Sequence, residues 1–378
     1  GGVYSQNFEA VLAAIRRIQF YDHSSKMICD IDNFDRYTRI ILNSDSTIEE
    51  LNNGTPDTTL YKSNFPKGQP VYGIRPNEGN SNLSFNEQTY LSTSLNADYN
   101  AVANTAYTVR YKIPLSMFKN TIFALDKDLF FDDISFIRIT WNPYTQLGFT
   151  NDGTANGAAN NYAGPPTNTY VALYLAVETN EQINTSLKQT LYSSGITTFF
   201  DYVHAQNYAL QGTSQTFTIR YGPGMGLRLK RIYWAQFETN PGNNTKYDIN
   251  NLDGADLNYF RTYLNRVRLI DYDIDCRPGN NPGQGNVGYL DYMIMQGRLQ
   301  GGAIQNRNIY QYNWFWCESF DGLKFHEHPD NVELGLDLTQ KDIEYNVVMT
   351  TANNSFTYHV FGVAQRLLTI KKDNTTIV

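Results

Sequence analysis

The sequence predicts an all-β chain of two tandem eight-stranded jelly rolls, with a short N-terminal helix and small helical insertions. Three observations carry this. Short runs rich in β-branched and aromatic residues recur along most of the 378 residues, separated by Gly, Asn and Pro clusters. The pattern restarts after a polar stretch near residue 186, which gives two halves of ~180 residues, each long enough for a domain. The composition is 41% hydrophobic, with 28 Tyr, 21 Phe and 4 Trp, enough apolar surface to exclude a disordered chain.

The first element is expected to be helical. Ser5 stands at an N-cap position, and Phe8, Val11, Leu12, Ile15 and Ile18 recur at helix spacing. This helix, over 5–19, makes residues 1–22 a helical arm that ends before Asp22-His23-Ser24-Ser25. Strand-like runs follow at 37–42, 105–114 and 134–141, and 169–177 is nearly all apolar, as a strand buried on both faces would be. Residues 23–185 form the first roll. The tract 77–82 reads as a loop, as does 151–168, which has no periodicity and is long for a compact domain.

Residues 178–194 are polar, with Ile183, Leu187 and Leu191 at helix spacing. They read as a short helical linker, and the boundary between rolls falls at 186–197. The second roll, 198–378, opens with runs at 196–208, 215–221 and 227–237. In 266–276, Ile270, Tyr272 and Ile274 alternate with Asp271, Asp273 and Asp275. A Gly/Asn loop at 279–288 and a helix over 289–300 precede strands at 308–317, 332–338, 343–350 and 356–370. Tyr107–Tyr111 echoes Phe217–Tyr221, and Arg138–Trp141 echoes Arg231–Trp234, but at offsets that differ, so strand composition alone accounts for them.

The charge balance narrows function. There are 30 Lys and Arg against 37 Asp and Glu, a net charge of −7, which disfavours a sequence-independent nucleic-acid binder. The one basic spot, Arg228-Leu229-Lys230-Arg231, reads as an outward strand face. The 41 Asn suit long uncharged surface loops. Three cysteines, Cys29, Cys276 and Cys317, cannot make a disulfide framework. The start has no basic and apolar leader pattern, so no signal peptide is expected, and Gly1-Gly2 without a Met reads as a processed end or a cloning scar. No run approaches the ~18 apolar residues of a membrane span.

Catalytic signatures are sparse. His326-Glu327-His328 is the best metal candidate, but its surroundings, ending in Pro-Asp, read as a loop with no third or fourth ligand. Asp271, Asp273 and Asp275 could line a calcium site, and the plainer reading is the solvent face of a strand. No Gly-x-Ser-x-Gly is present, and the glycines of 222–226 lack the Lys-Ser/Thr of a phosphate loop and read as a turn. Cys317 lies in the apolar run Trp314-Phe315-Trp316 and reads as an inert core thiol. Sequons at Asn53, Asn82, Asn184, Asn243, Asn353 and Asn374 carry little weight in a chain this rich in Asn and Thr. We therefore assign no catalytic, cofactor or metal residue, and expect folding to need neither metal nor cofactor. The pattern fits a structural or binding protein rather than an enzyme.

The order strand 266–276, Gly/Asn loop, helix 289–300, aromatic strand 308–317, and closing strands at 343–350 and 356–370 resembles the C-terminal roll of double jelly-roll major capsid proteins. These belong to the adenovirus and tectivirus lineage, and the chain is most like the virophage and Polinton-like virus branch. In the first half, 107–118 followed by 134–143 is similar to the strand, Ile-Pro-Leu and strand passage of those proteins. The resemblance covers about two thirds of the chain as a pattern of elements. It implies a homotrimer whose two upright rolls per chain make a pseudo-hexameric capsomer tiling an icosahedral shell of a dsDNA virus. The partners it implies are the chain itself, penton and minor capsid proteins, and an internal membrane or neighbours at the base, where residues 5–19 would lie. The chain would be made in the host cytoplasm or a viral factory and reside in the virion. Tracts 151–168, 241–256 and 277–288 would form the outer tower, ordered by contacts in the trimer. Two rival readings share the fold class. One is a carbohydrate-binding or host-attachment sandwich, with Tyr144 and Tyr162 as sugar-stacking candidates, and the other is a jelly-roll glycoside hydrolase, for which no carboxylate pair is selected.

Overall fold

The computed structural model describes residues 3–6, 15–44, 148–151, 215–222, 228–238, 257–276, 315–320 and 356–377, and most of 115–142, 172–209 and 335–350. Its elements in chain order are β1 (Val3–Gln6), β2 (Ile15–Tyr21), β3 (Met27–Asp32), α1 (Phe34–Ser44), β4 (Phe136–Trp141), β5 (Gly148–Asn151), α2 (Glu181–Ser193), β6 (Ile196–Ala209), β7 (Thr216–Tyr221), β8 (Arg228–Glu238), β9 (Leu257–Leu264), β10 (Val267–Arg268), β11 (Ile274–Asp275), β12 (Trp316–Ser319), β13 (Leu336–Asp337), β14 (Ile343–Met349), β15 (Phe356–Ile370) and β16 (Thr375–Ile377).

The second half is a jelly roll. One sheet runs β6-β15-β8-β12, so its first and last long strands are neighbours, and the facing sheet runs β7-β14-β9-β11. In chain order that is first-eighth-third-sixth over second-seventh-fourth-fifth, the winding of two interlocked Greek keys. β10 and β11 share one edge of β9, β13 extends the edge of β8 beside β12, and β16 folds back on the end of β15. The inner faces meet through aromatics. Trp234 of β8 lies edge-on to Phe260 of β9 at 5.1 Å, and Phe260 packs on Trp316 of β12 at 4.9 Å. Phe217 of β7 packs on Tyr358 of β15 at 4.6 Å. Ring pairs of this kind add about 0.5–1.5 kcal/mol each beyond the area they bury. The strands expected at 196–208, 215–221, 227–237, 343–350 and 356–370 are found as β6, β7, β8, β14 and β15. The helical linker is found as α2, capped by Asn180, whose side chain accepts from the amides of Gln182 and Ile183.

The N-terminal residues correct the sequence reading. No helix occupies 15–19: β2 is the centre of a three-stranded sheet β3-β2-β4, and Val3–Gln6 pairs with β5. The cause of the misreading is a bulge. Ile15 pairs Trp141 and Arg17 pairs Thr140, so Arg16 is an extra residue. It shifts the two-residue alternation by one and puts Ile15 and Ile18, three apart, on the same buried face, which mimics helix spacing. Residues 7–14 lie outside the described set. Asp22-His23-Ser24-Ser25 is the turn of the β2–β3 hairpin, where the Asp22 carboxylate accepts from the amides of Ser24 and Lys26. The run 37–42 is part of helix α1, not a strand, because Phe34, Tyr37, Ile40 and Ile41 bury together on one helical face.

Residues 172–175 and 177 are not the buried strand expected there. They have no regular structure, and Leu173, Leu175, Val177 and Tyr174 are exposed, Tyr174 to 88%. Apolar content shows what a segment can bury, not whether a strand lies beside it. Residues 266–276 form a hairpin rather than one strand. Asn265 and Arg266 make a two-residue turn with φ of 48° and 67°, and β10 and then β11 return along β9, itself not foreseen. The runs at 105–114 and 289–300, most of 308–317, and the loop tracts 77–82, 152–168, 241–256 and 277–288 lie outside the described residues.

Candidate functional site

Among the described residues, no group of three or more His, Cys, Asp or Glu is placed to hold a metal ion. His326 and His328 lie outside them, as do Tyr144 and Tyr162. The acidic run at 271–275 is not a stripe. Asp273 receives Arg261 at 2.7 and 2.9 Å and Arg268 at 2.7 Å, and the Arg261 hydrogen bonds hold its carboxyl below the usual range. Asp271 stands exposed, while Ile274 and Cys276 bury in the roll. Cys29, Cys276 and Cys317 are buried thiols that form no disulfide. Burial raises the pKa of Cys29 to about 12 and that of Cys276 well above its ordinary value.

The basic spot on β8 is another correction. Only Arg228 of the four is exposed. The Lys230 ammonium lies 3.0 and 3.1 Å from the two Asp201 carboxylate oxygens, and both side chains are buried, at 2% and 6% exposure. A bulge explains it. Val363 of β15 pairs Arg231 and the next residue, Ala364, pairs Leu229, so Lys230 is the extra residue.

The most concentrated polar chemistry lies where the N-terminal elements meet the second roll. The inner face of the β3-β2-β4 sheet packs through Phe20 on Phe123 and Phe131 at 5.5 and 5.7 Å, and β3 lies against β6. Helix α1 is tied to its own half by several bonds. The Asn142 amide donates to Asp35 at 3.1 Å, Tyr37 donates to the Lys119 carbonyl at 3.1 Å, and Phe34 packs on Phe118. The opposite side of α1 reaches β15 and β8. The Tyr37 ring lies 5.3 Å from Phe361, and the Arg36 guanidinium sits 5.2 Å over Phe237 and donates to Nε2 of His359. Burial, then the charge of Arg36, push the His359 pKa well below its ordinary value. Burial raises the Asp35 carboxyl and lowers the Arg36 guanidinium. Sequence reasoning missed this junction. Arg36 and His359 are 323 residues apart, and only a helix at 34–44 would have pointed Arg36 away from its own sheet.

A second buried polar contact crosses the roll itself. Tyr345 of β14 donates to Glu318 of β12 at 3.0 Å, and burial raises the Glu318 carboxyl to about 7.

This geometry contains no assembled nucleophile, acid–base pair or ligand cage among its described residues. It defines an all-β scaffold whose second half is a jelly roll and whose first half docks on it. No family model matches the chain, and no curated protein sequence matches it. Solved structures do. The Sputnik virophage, determined by cryo-EM at 3.5 Å, aligns with a TM-score of 0.54 at 10% identity over 100% of this chain and 76% of that one. The capsid of the virus PBCV-1 aligns at 0.46 with 9% identity over 99% and 85% of the two chains, and the Faustovirus major capsid protein at 0.44 with 10% identity over 100% and 74%. The Sputnik likeness spans the chain from end to end and carries the fold. The expected class, all-β with tandem jelly rolls, is the fold of this protein.

Proposed function

We propose that the chain is a major capsid protein, a structural rather than catalytic component of a virion. Three copies associate into a pseudo-hexameric capsomer, and capsomers tile an icosahedral shell. The observation that supports this is the jelly-roll winding of β6 to β15 within a chain that follows the Sputnik structure over its full length. The physical logic is symmetry. Two similar rolls per chain and a three-fold axis place six similar walls around one centre, which packs on a hexagonal lattice. The roll boundaries we propose are 23–185 and 198–378, with 186–197, the end of α2 and the start of β6, between them. The partners are other copies of the chain first, then penton and minor capsid proteins and an internal membrane at the shell base.

The test is the mass and shape of the purified full chain. Trimers of flat hexagonal outline in negative stain, or closed shells, are the expected result. A monomer at all concentrations that binds glycans would replace this reading with an attachment role. Hydrolysis of glycans abolished by single carboxylate changes would replace it with an enzyme.

A further inference from the structure

The contact between α1 and the second roll carries a consequence for how the two halves are held together. His359 is buried, and its ring is enclosed by Phe237, edge-on at 5.3 Å, and Phe361 at 6.3 Å. Its Nε2 faces an Arg36 N–H, so that nitrogen is the acceptor and the neutral ring carries its proton on Nδ1, which has no hydrogen-bond partner. A second proton has to go to Nε2. There it would set an N–H donor against an N–H donor and one cation against another, in a site closed to water.

Among the described residues, the groups paired with His359 or stacked on its ring bring no anion to offset this. The residues paired with His359 on β8 and β6 are Ala235 and Asn207, both uncharged. On α1 the group that faces His359 is Arg36, and beside Arg36 stands Asp35, whose carboxylate is engaged by Asn142. Asp32 and Arg16 act on Arg36 with opposite signs.

We infer that His359 is an acid-sensitive latch between the two halves of the chain, whose protonation expels Arg36 and releases helix α1 from strand β15. Neutral histidine holds the joint closed. In an acidified compartment the joint loosens while the roll of β6 to β15 keeps its sheets paired, and α1 remains bonded to its own half through Tyr37 and Asp35. The latch acts within one chain. It is independent of the capsid reading and can be measured whether or not copies assemble.

Hydrogen exchange of the full chain, compared at about pH 7.5 and about pH 5 after correction for intrinsic rates, tests it. Backbone amides of 36–41 are expected to exchange at least about tenfold faster in acid while those of β14 stay protected. Simultaneous loss at α1 and β14 is global unfolding and overturns the proposal, as does unchanged protection of α1. His359→Gln keeps an acceptor for Arg36 but cannot become charged, and its acid response should disappear. A wild-type response in that variant sinks the latch. Arg36→Gln tests the pairing separately, should His359→Gln not fold. It removes the opposing cation, so opening should need a lower pH, and opening at the wild-type pH counts against the proposal. His204 of β6, a second histidine whose pKa burial lowers, is the control. His204→Gln should leave the α1 response intact, and loss of the response there would overturn the assignment to His359.

Discussion

Gly362 of β15 faces Tyr221 of β7 across the sandwich, and the Tyr221 hydroxyl occupies the space where a β-carbon at position 362 would stand. Tyr221 is buried, and Arg366 and Tyr202 lie near it on the same side of the roll. The glycine is therefore a packing device, since the backbone of β15 is ordinary strand there. Gly362→Ala must displace the tyrosine ring, and overpacking of this kind costs about 1–3 kcal/mol. The expected outcome is a lower urea midpoint for Gly362→Ala, and partial recovery when it is combined with the shorter side chain of Tyr221→Leu. No change in midpoint for the single variant would show that the ring has room to move.

Glu318 sets a pH dependence of known sign. Its folded pKa is about 7, raised by burial, against about 4.3 for an unfolded chain. Between those values the native state keeps a proton that the unfolded state has lost. The contribution is therefore fully present below about pH 4.3 and is lost as pH rises to about 7, each unit being worth ~1.4 kcal/mol at most. Glu318→Gln keeps an acceptor for Tyr345 and has no such slope. The difference in unfolding free energy between the two proteins should change in favour of Gln across that window and level off above it. A difference that stays flat with pH would mean that Glu318 is solvated in the native state.

Much of this fold was legible in the sequence, and the failures have physical causes. The long strands β6, β8, β14 and β15 announce themselves through sustained β-branched and aromatic content, because their inner faces meet another sheet. β2 did not, because the bulge at Arg16 breaks the alternation. The same kind of bulge hid Lys230, which composition places outside and geometry places beside Asp201. Helix α1 was hidden by Tyr37, Thr38, Ile40 and Ile41, residues that favour strands and are here held helical by the sheet they pack on. Local signals report propensity and period. The pairing of Arg36 with His359 depends on the docking of two halves, which no local signal encodes.

The turn at Asn265-Arg266 offers a stabilising change. Both residues have positive φ, which the two-residue hairpin requires, and Asn tolerates this better than Arg. The Arg266 side chain is exposed, so its replacement removes little packing. Arg266→Gly relieves the left-handed strain of ~1–2 kcal/mol and returns part of it as added freedom of the unfolded chain. A net gain of ~0.5–1 kcal/mol is expected, seen as a higher melting temperature. An unchanged or lower value would show that the arginine side chain holds the turn.

The buried pair Lys230–Asp201 tests how β6 and β8 are joined across β15. They lie on strands that do not touch, so the ion pair spans the intervening strand beside the bulge. Charges this deeply buried lose hydration that their mutual attraction only partly restores, so the pair adds little net stability, yet breaking it is severe. Asp201→Ala leaves an ammonium in a closed site and should cost about 3–5 kcal/mol. Replacing both partners, Asp201→Leu with Lys230→Met, removes the buried ammonium as well and should recover most of that loss. A double-mutant cycle from urea unfolding reads the coupling directly. Additive losses would mean that the two side chains do not depend on one another, and that the bulge, not the ion pair, keeps Lys230 inside.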